Sequence, residues 1–376
     1  MIGFNKPYIS GKEFLYIQEA IKIEKLSGNG LFTKRCHEFF EKKYGFRKTL
    51  LTHSCTAALE MASILINVKE GDEIIMPSYT FVSTANAFLL QGAKIIFSDS
   101  DEKNPNIDVN HVRKLITKKT KAIVVVHYAG VACDMDPIME LARSHNIYVI
   151  EDAAQAIDSY YKNRPLGSIG HLAAFSFHET KNIISGEGGM LVINDDQFIE
   201  RAEIIWEKGT NRSAFFRGEV DKYTWIDKGS SFLPSELTAA FLFAQLETLD
   251  HIQRKRKAIW DDYYHYFSSQ RIPELGLPYV NEYATNNAHL FYLNTLNKTR
   301  RNSLLEYLRS KDIQAIFHYL PLHQSPYYKS LQSIEPHLPF AEKYGDCLIR
   351  LPFYVEMSTQ DISCVQESIS SFYKSL

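Results

Sequence analysis

The chain has 376 residues, 45% of them hydrophobic and 23% charged, a globular balance long enough for two cores at roughly 100 to 200 residues each. Its formal net charge of -2, with no basic run, excludes binding of nucleic acid or an anionic membrane by bulk electrostatics, so any phosphate must be held locally. Five scattered cysteines with no CxxC pair exclude a zinc ribbon or a dithiol redox centre.

The N-terminal Met1-Ile2-Gly3-Phe4-Asn5-Lys6-Pro7 lacks a basic-then-apolar signal pattern, and no apolar run approaches about 18 residues, so a cytoplasmic location is expected. A helical stretch is expected before about Gly30, packed beside the C-terminal tail. Between Lys48 and Asn194, short apolar runs alternate with helical stretches: Glu73-Ile74-Ile75-Met76, Lys94-Ile95-Ile96-Phe97, Ala122-Ile123-Val124-Val125-Val126 and Ile147-Tyr148-Val149-Ile150. Runs apolar almost throughout are what parallel strands covered on both faces require, so a three-layer α/β/α domain with a mostly parallel sheet is predicted. A long helical region follows from about Ser235 to Ser268, then a strand-like piece near His289 to Leu296 and a helix near Arg301 to Lys311. The expected division is a large domain over residues 1–250 and a smaller α+β domain over 251–376.

Ligands of open parallel sheets collect beyond the carboxyl ends of the strands, and four such positions carry chemistry. Thr52-His53-Ser54-Cys55-Thr56-Ala57 ends a strand and opens a helix; its small hydroxyl residues suit a phosphate on the free helix N–H groups, and an ordinary serine cap explains them as well. Pro77-Ser78-Tyr79-Thr80-Phe81 puts aromatic rings after a strand, for stacking on a flat ligand or as plain core. Glu151-Asp152-Ala153-Ala154-Gln155 ends a buried strand with two acids, either a helix cap or a carboxylate that keeps a pyridine nitrogen protonated. Phe175-Ser176-Phe177-His178-Glu179-Thr180-Lys181-Asn182, followed by Gly186-Glu187-Gly188-Gly189, supplies a lysine in a glycine-rich loop. By residue type alone Lys181 is a surface charge; buried beside an aromatic cofactor, its lowered pKa would let it form an imine.

Together these segments, with Val126-His127-Tyr128-Ala129-Gly130, resemble the DegT/DnrJ/EryC1/StrS sugar aminotransferases, from Phe4-Asn5-Lys6-Pro7 to Leu351-Pro352-Phe353. The resemblance implies the fold-type I scaffold with pyridoxal 5′-phosphate as cofactor. It implies that Lys181 is the catalytic residue, joined to the cofactor as an imine and later moving the proton. It further implies that Asp152 pairs with the pyridine nitrogen, that Phe81 lies on the ring face and that Gln155 sits by the ring hydroxyl. Thr56, the backbone of Ala57, and Ser176 would hold the phosphate. The family works as a homodimer with shared sites, and where it commonly supplies a partner asparagine this chain reads Gly229-Ser230-Ser231-Phe232-Leu233, leaving Ser231 as the substitute.

The segment from Lys208 to Trp225, with Arg212 and Arg217 among aromatics, is similar to the branch that makes dTDP-4-amino-4,6-dideoxygalactose from dTDP-4-dehydro-6-deoxyglucose and L-glutamate. That product serves enterobacterial common antigen or O-antigen assembly. The two arginines would grip the diphosphate and base, or the segment is an ordinary dimer contact. His318-Tyr319-Leu320-Pro321-Leu322-His323 matches a further motif, expected near the sugar, although its histidines also suit a structural role. The alternatives are the same chemistry on another sugar (a gluco product, UDP-linked or 3-keto), a dehydratase, whose relatives carry histidine where Lys181 stands, and a non-catalytic regulator.

Overall fold

The computed structural model describes residues 1–331 and 335–376. Helices α1 (Glu13–Lys22) and α2 (Leu31–Tyr44) lead into β1 (Lys48–Thr52) and α3 (Cys55–Leu65). The alternation continues through β2 (Glu73–Pro77), α4 (Val82–Leu89), β3 (Lys94–Ser98), α5 (Val109–Leu115), β4 (Thr120–Val126), α6 (Met135–His145) and β5 (Tyr148–Asp152). A small hairpin of β6 (Tyr160–Tyr161) and β7 (Arg164–Pro165) precedes β8 (Leu172–Ser176), β9 (Gly189–Ile193), α7 (Ile199–Trp206) and α8 (Arg212–Phe216). The rest comprises α9 (Glu236–Glu247), α10 (Leu249–Gln270), β10 (Tyr292–Asn294), α11 (Lys298–Ser310), β11 (Ile316–Phe317), α12 (Pro326–Leu331), α13 (Pro339–Cys347), β12 (Leu348–Arg350) and α14 (Thr359–Lys374).

The seven-stranded sheet has the order β1-β9-β8-β5-β4-β2-β3. Strands β8, β5, β4, β2 and β3 pair in parallel, while β9 runs antiparallel to both β1 and β8, so the expectation of a mostly parallel sheet holds. Successive side chains point to opposite faces, and both faces are covered. Ile74, Met76, Val124, Ile150 and Ala174 pack under α3, α4 and α7 through Leu59, Phe88 and Ile205. Ile75, Val125, Val149, Ala173 and Phe175 pack under α2, α6 and α9 through Phe40, Ile138 and Leu242. This double burial explains why the strands read as unbroken apolar runs rather than alternating ones.

A third apolar cluster surrounds the small sheet of β10, β12 and β11, built from Trp260, Phe291, Leu304, Ile349 and Ile369. Ile2 joins it through main-chain bonds with Asp312 and Gln314, whereas α1 packs with α9 on the larger body. Leu322, Tyr328, Leu338 and Tyr344, although late in the chain, pack into the first cluster.

Elements depart from the sequence reading in several places. The run predicted as Ile147 to Ile150 begins at Tyr148 and extends to Asp152, so Glu151 and Asp152 lie inside the strand, pointing to opposite faces. The predicted helix from Ser235 to Ser268 breaks at Thr248 into α9 and α10. Strand β9, absent from the four predicted runs, begins at Gly189, where a Cβ would come 2.3 Å from the Ser54 carbonyl carbon. Only a glycine lets the reversed strand pass so close to the start of α3.

Candidate active site

Loops leaving the carboxyl ends of β1, β2, β5 and β8 converge on a cavity of about 450 Å³. Its walls include Ser54, Thr56, Phe81, Thr84, Asp152, Gln155, Ser176 and Lys181 from the large sheet's side, and His289, His318, Tyr319 and Arg350 from the small sheet's side. The sequence-nominated Thr56, Phe81, Asp152, Gln155, Ser176, Lys181, His318 and Tyr319 thus meet around one space.

Lys181 sits in the turn after β8, where its N–H donates to the His178 carbonyl at 2.9 Å. The turn is closed by main-chain bonds from Glu179 to Gly186 and from Phe177 to Gly188. Removal from water disfavours the ammonium, and Lys181 is drawn down from 10.5 to about 8, with Arg350 adding to the fall and Cys55 and Asp152 opposing it. Asp152, 5% exposed, accepts from Thr84 Oγ1 at 2.7 Å and from the Ala154 N–H at 3.2 Å. Burial nevertheless raises its pKa. A cationic N–H donor against this carboxylate would supply the missing counter-charge.

At the start of α3, Ser54 Oγ accepts from the Ala57 N–H at 3.1 Å and the Ser54 carbonyl accepts from the Ala58 N–H at 3.3 Å. Thr56 Oγ1 donates to Ser83 Oγ at 2.8 Å. The serine cap is therefore real, and it leaves the N–H groups of Cys55 and Thr56 free for an anion. Ala57 itself is buried and outside the cavity wall, its N–H already taken by the cap. Phe81 is 55% exposed, an open aromatic face next to Tyr319, whose ring centroid lies 6.1 Å away. Gln155 accepts from the Ala129 N–H at 2.7 Å and donates to the Tyr319 hydroxyl at 3.3 Å, which links the two bodies.

Behind the cavity, Glu151 points to the other face of β5 and accepts from the N–H groups of Gly167, Ile169 and Gly170 at 2.6 to 2.7 Å. His127 Nε2 lies 2.9 Å from the same carboxylate, and His127 Nδ1 accepts from the Cys133 N–H at 3.2 Å. The N–H against Nδ1 puts a proton on Nε2, facing the carboxylate, and against the effect of burial the Cys133 and Glu151 side chains draw the ring's pKa upward. Burial works to raise the Glu151 pKa, and these donors outweigh it to leave the carboxyl below its ordinary value.

Sequence reasoning missed Thr84, His289 and Arg350. Thr84 lies one helical turn into α4 and carries no motif. His289 is buried, donates from Nδ1 to Asn182 Oδ1 at 2.9 Å, and is held neutral by burial and by Lys181 and Arg350. Arg350 interrupts the apolar run Leu348-Ile349-Arg350-Leu351, and a charge inside a strand is the signal that could have found it.

Besides Ala57, three nominated residues are not brought into the cavity of their own chain. Ser231 is exposed and bridges to Glu207. Arg212 lies 3.4 Å from Glu207 and its guanidinium 5.2 Å from the Phe216 ring centre. Arg217 is held by Glu203 at 2.8 Å and Glu219 at 2.7 Å. Their segment follows α7 rather than a strand end, which is why it does not join the other walls.

The family model for the DegT/DnrJ/EryC1/StrS aminotransferases matches residues 7–370. The spore coat polysaccharide biosynthesis protein SpsC of Bacillus subtilis is 34% identical, the match covering 99% of this chain and 97% of that protein. GDP-perosamine synthase of Escherichia coli O157:H7 is 32% identical over 98% of this chain and 97% of that one. Among solved structures, the aminotransferase TlmJ of Streptoalloteichus hindustanus superposes with a TM-score of 0.91 at 27% identity, covering 100% of this chain and 99% of that chain. Helicobacter pylori PseC, an aminotransferase involved in the biosynthesis of pseudoaminic acid, matches with a TM-score of 0.91 at 25% identity and covers 100% of both chains.

Proposed function

The chain belongs to the DegT/DnrJ/EryC1/StrS aminotransferase family, and from that premise we propose that it transfers an amino group from L-glutamate to a nucleotide-linked keto sugar. One observation carries the reading: Lys181 shares a cavity with the buried Asp152 and with the hydroxyl-rich first turn of α3. Aminotransferases of this family use pyridoxal 5′-phosphate, and the residues present fit it. Lys181 would tether its aldehyde, and Asp152 would face its ring nitrogen. Phe81 would cover the ring, and Gln155 would sit by the ring hydroxyl. Thr56, Ser176 and the free N–H groups of α3 would take the phosphate, with the Ala57 backbone supporting them through the cap. When bound, the cofactor supplies an electron sink that stabilises negative charge on the carbon losing its proton.

The chain's own groups do the rest. With its pKa near 8, the Lys181 amine is neutral often enough near pH 7 to accept a proton from the donor's α carbon and return it to the sugar carbon. Asp152, fixed by Thr84, keeps its charge aimed at one atom. Tyr319, tied to Gln155, closes the cavity from the small sheet's side and, with His318, is assigned to the sugar. In a homodimer, Ser231 adds a phosphate contact to the neighbouring subunit's cavity, while Arg212 and Arg217 take the nucleotide diphosphate after exchanging their present carboxylates.

The preferred substrate is dTDP-4-dehydro-6-deoxyglucose, aminated at C4 to dTDP-4-amino-4,6-dideoxygalactose for surface polysaccharide, on the sequence of the Lys208 to Trp225 segment. A GDP-linked sugar is the second reading, favoured by the identity to GDP-perosamine synthase. Incubation with glutamate and dTDP-, GDP- and UDP-linked keto sugars, followed by NMR at the aminated carbon, decides between them. Borohydride reduction and peptide mapping should recover the cofactor on Lys181, and Lys181→Ala should lose at least about 1000-fold in turnover. A reduced adduct on any other side chain defeats the assignment.

A further inference from the structure

His289 lies in the loop before β10 and is 3% exposed, yet it lines the cavity together with Lys181. Its backbone is pinned from both sides. The N–H donates to Asn287 Oδ1 at 3.0 Å, and the carbonyl accepts from Arg256 Nη2 at 2.6 Å. The preceding Ala288 is held at φ +52°, a left-handed conformation that an alanine keeps only where its surroundings impose it. The ring's tautomer follows from its neighbours. Asn182 Nδ2 donates to the Asn287 carbonyl at 2.9 Å and to Gln253 Oε1 at 2.8 Å. A carbonyl can only accept, so the amide's NH₂ lies on that side and its Oδ1 faces His289 Nδ1 at 2.9 Å. Nδ1 therefore carries the proton and Nε2 presents a lone pair. Among the described residues, Nε2 makes no hydrogen bond, and it is not sealed from solvent, so it meets the open space. Nζ of Lys181 is likewise without a hydrogen-bond partner among the described residues. A free acceptor and a free donor thus share one cavity. Of the charges acting on the His289 ring, Lys181 is the strongest, ahead of Arg350, Arg256 and His318. Arg350, the other cation in the wall, turns its Nη1 to His318 Nδ1 at 3.0 Å.

We infer that His289 is a positioning residue for Lys181, its Nε2 lone pair accepting a hydrogen bond from the lysine amine while that amine is free of the cofactor. The inference rests on the aminotransferase reading above. A lysine on a flexible four-carbon stem spreads over many rotamers when released, and each lost orientation slows proton transfer. An amine that donates one N–H to His289 has its single lone pair turned away from the ring, toward the space where the reacting carbon lies. His289 does not compete for the proton. Its Nδ1 already carries one, and burial with Lys181, Arg350, Arg256 and His318 around it disfavours a second. Around Lys181 itself, Asp152 and Cys55 favour the ammonium and Arg350 opposes it, so the amine passes between both forms while the histidine stays an acceptor. Asn182 directly follows Lys181, so the side chain that sets the tautomer and the amine it serves are carried by the same turn.

Two variants separate this role from a structural one. His289→Asn keeps an N–H near the Nδ1 position for Asn182 and loses the acceptor at Nε2, whereas His289→Gln places an oxygen near Nε2 and loses the tie to Asn182. Asn182→Leu, which frees the ring to carry its proton on Nε2, serves where His289→Asn does not fold. In the cofactor-free protein, acetylation of Lys181 by acetic anhydride, followed by peptide mapping across pH, should have a midpoint near 8 in the wild type. Loss of the acceptor withdraws support from the ammonium, so the midpoint should fall by about one pH unit in His289→Asn and move less in His289→Gln. In the holoenzyme, the rate of cofactor-absorbance change at saturating L-glutamate should fall about 10-fold in His289→Asn, with the half-saturating concentration within about threefold. His289→Gln should lose less. A His289→Asn variant with the wild-type midpoint and rate would overturn the inference and leave the ring as a tie between the two bodies. A raised half-saturating glutamate concentration at unchanged rate would also overturn it, by assigning Nε2 to the donor's amino group. If the wild type gives no absorbance change with glutamate while the midpoint still falls in His289→Asn, the aminotransferase reading fails and the contact with Lys181 stands.

Discussion

Replacing Glu151 by glutamine probes the scaffold that holds Asp152. Glu151 is fully buried, and its Oε1 accepts from Ile169 and Gly170 while its Oε2 accepts from Gly167 and His127. Glutamine keeps the shape but swaps one oxygen for an NH₂ that faces two donors whichever way it turns. Turned toward Ile169 and Gly170, it orphans two backbone N–H groups. Turned toward His127, it forces the ring to move its proton to Nδ1, against the Cys133 N–H. Two buried donors unpaired at about 1 to 3 kcal/mol each put the loss near 4 kcal/mol. With about 2 cal/mol/K of unfolding entropy per residue, that lowers Tm by about 5 °C. Thermal scans of the cofactor-free protein measure it, with Glu219→Gln at the exposed Arg217 pair as a control expected to move little. The folded Glu151 pKa is depressed, so its stabilisation is complete above the unfolded value near 4.5 and is lost as pH falls through the folded value. The gap between wild type and variant should therefore be constant above about pH 5 and close at lower pH. A fall under 1 °C, or a gap unchanged into acid, would refute the donor count.

Thr84→Val removes the hydroxyl that donates to Asp152 at 2.7 Å; loss of about one charge-assisted bond predicts roughly tenfold weaker cofactor binding by equilibrium titration, with the fold unchanged by circular dichroism. Because Lys181 is drawn down to about 8, the rate at which the cofactor-free protein captures pyridoxal phosphate should rise with pH to a midpoint near 8, rather than near 10.5 as for a solvated lysine. Gly130→Ala is predicted to cost about 3 kcal/mol in chemical denaturation, since the residue has φ +76° and a Cβ would fall 1.9 Å from Asn287 Oδ1. Asn287 also donates to the Gln155 carbonyl at 2.8 Å, so that variant should lose activity as well.

Local chemistry made much of this protein legible from its sequence. The apolar runs at Ile74, Ile95, Val124 and Val149 declare doubly covered strands because burial on both faces leaves no polar position. The hydroxyl cluster at Ser54 and Thr56, the acid at Asp152 and the lysine at position 181 declare themselves because each sits past or at the end of a strand. What the sequence could not decide is which distant groups finish the site. His289 and Arg350 come from the small sheet, and their neighbourhood depends on how that sheet docks on the large one. Strand β9 carries an apolar run of its own, Met190-Leu191-Val192-Ile193, but its reversed direction is set by pairing with β1 and β8, which no local pattern encodes. The same dependence decided Arg212, Arg217 and Ser231, whose residue types suit a phosphate but whose packing after α7 gives them carboxylate or main-chain partners in their own chain. Hydrophobic period and side-chain chemistry are properties of a segment, whereas the partners a buried side chain meets are a property of everything around it, and only the packed structure shows them.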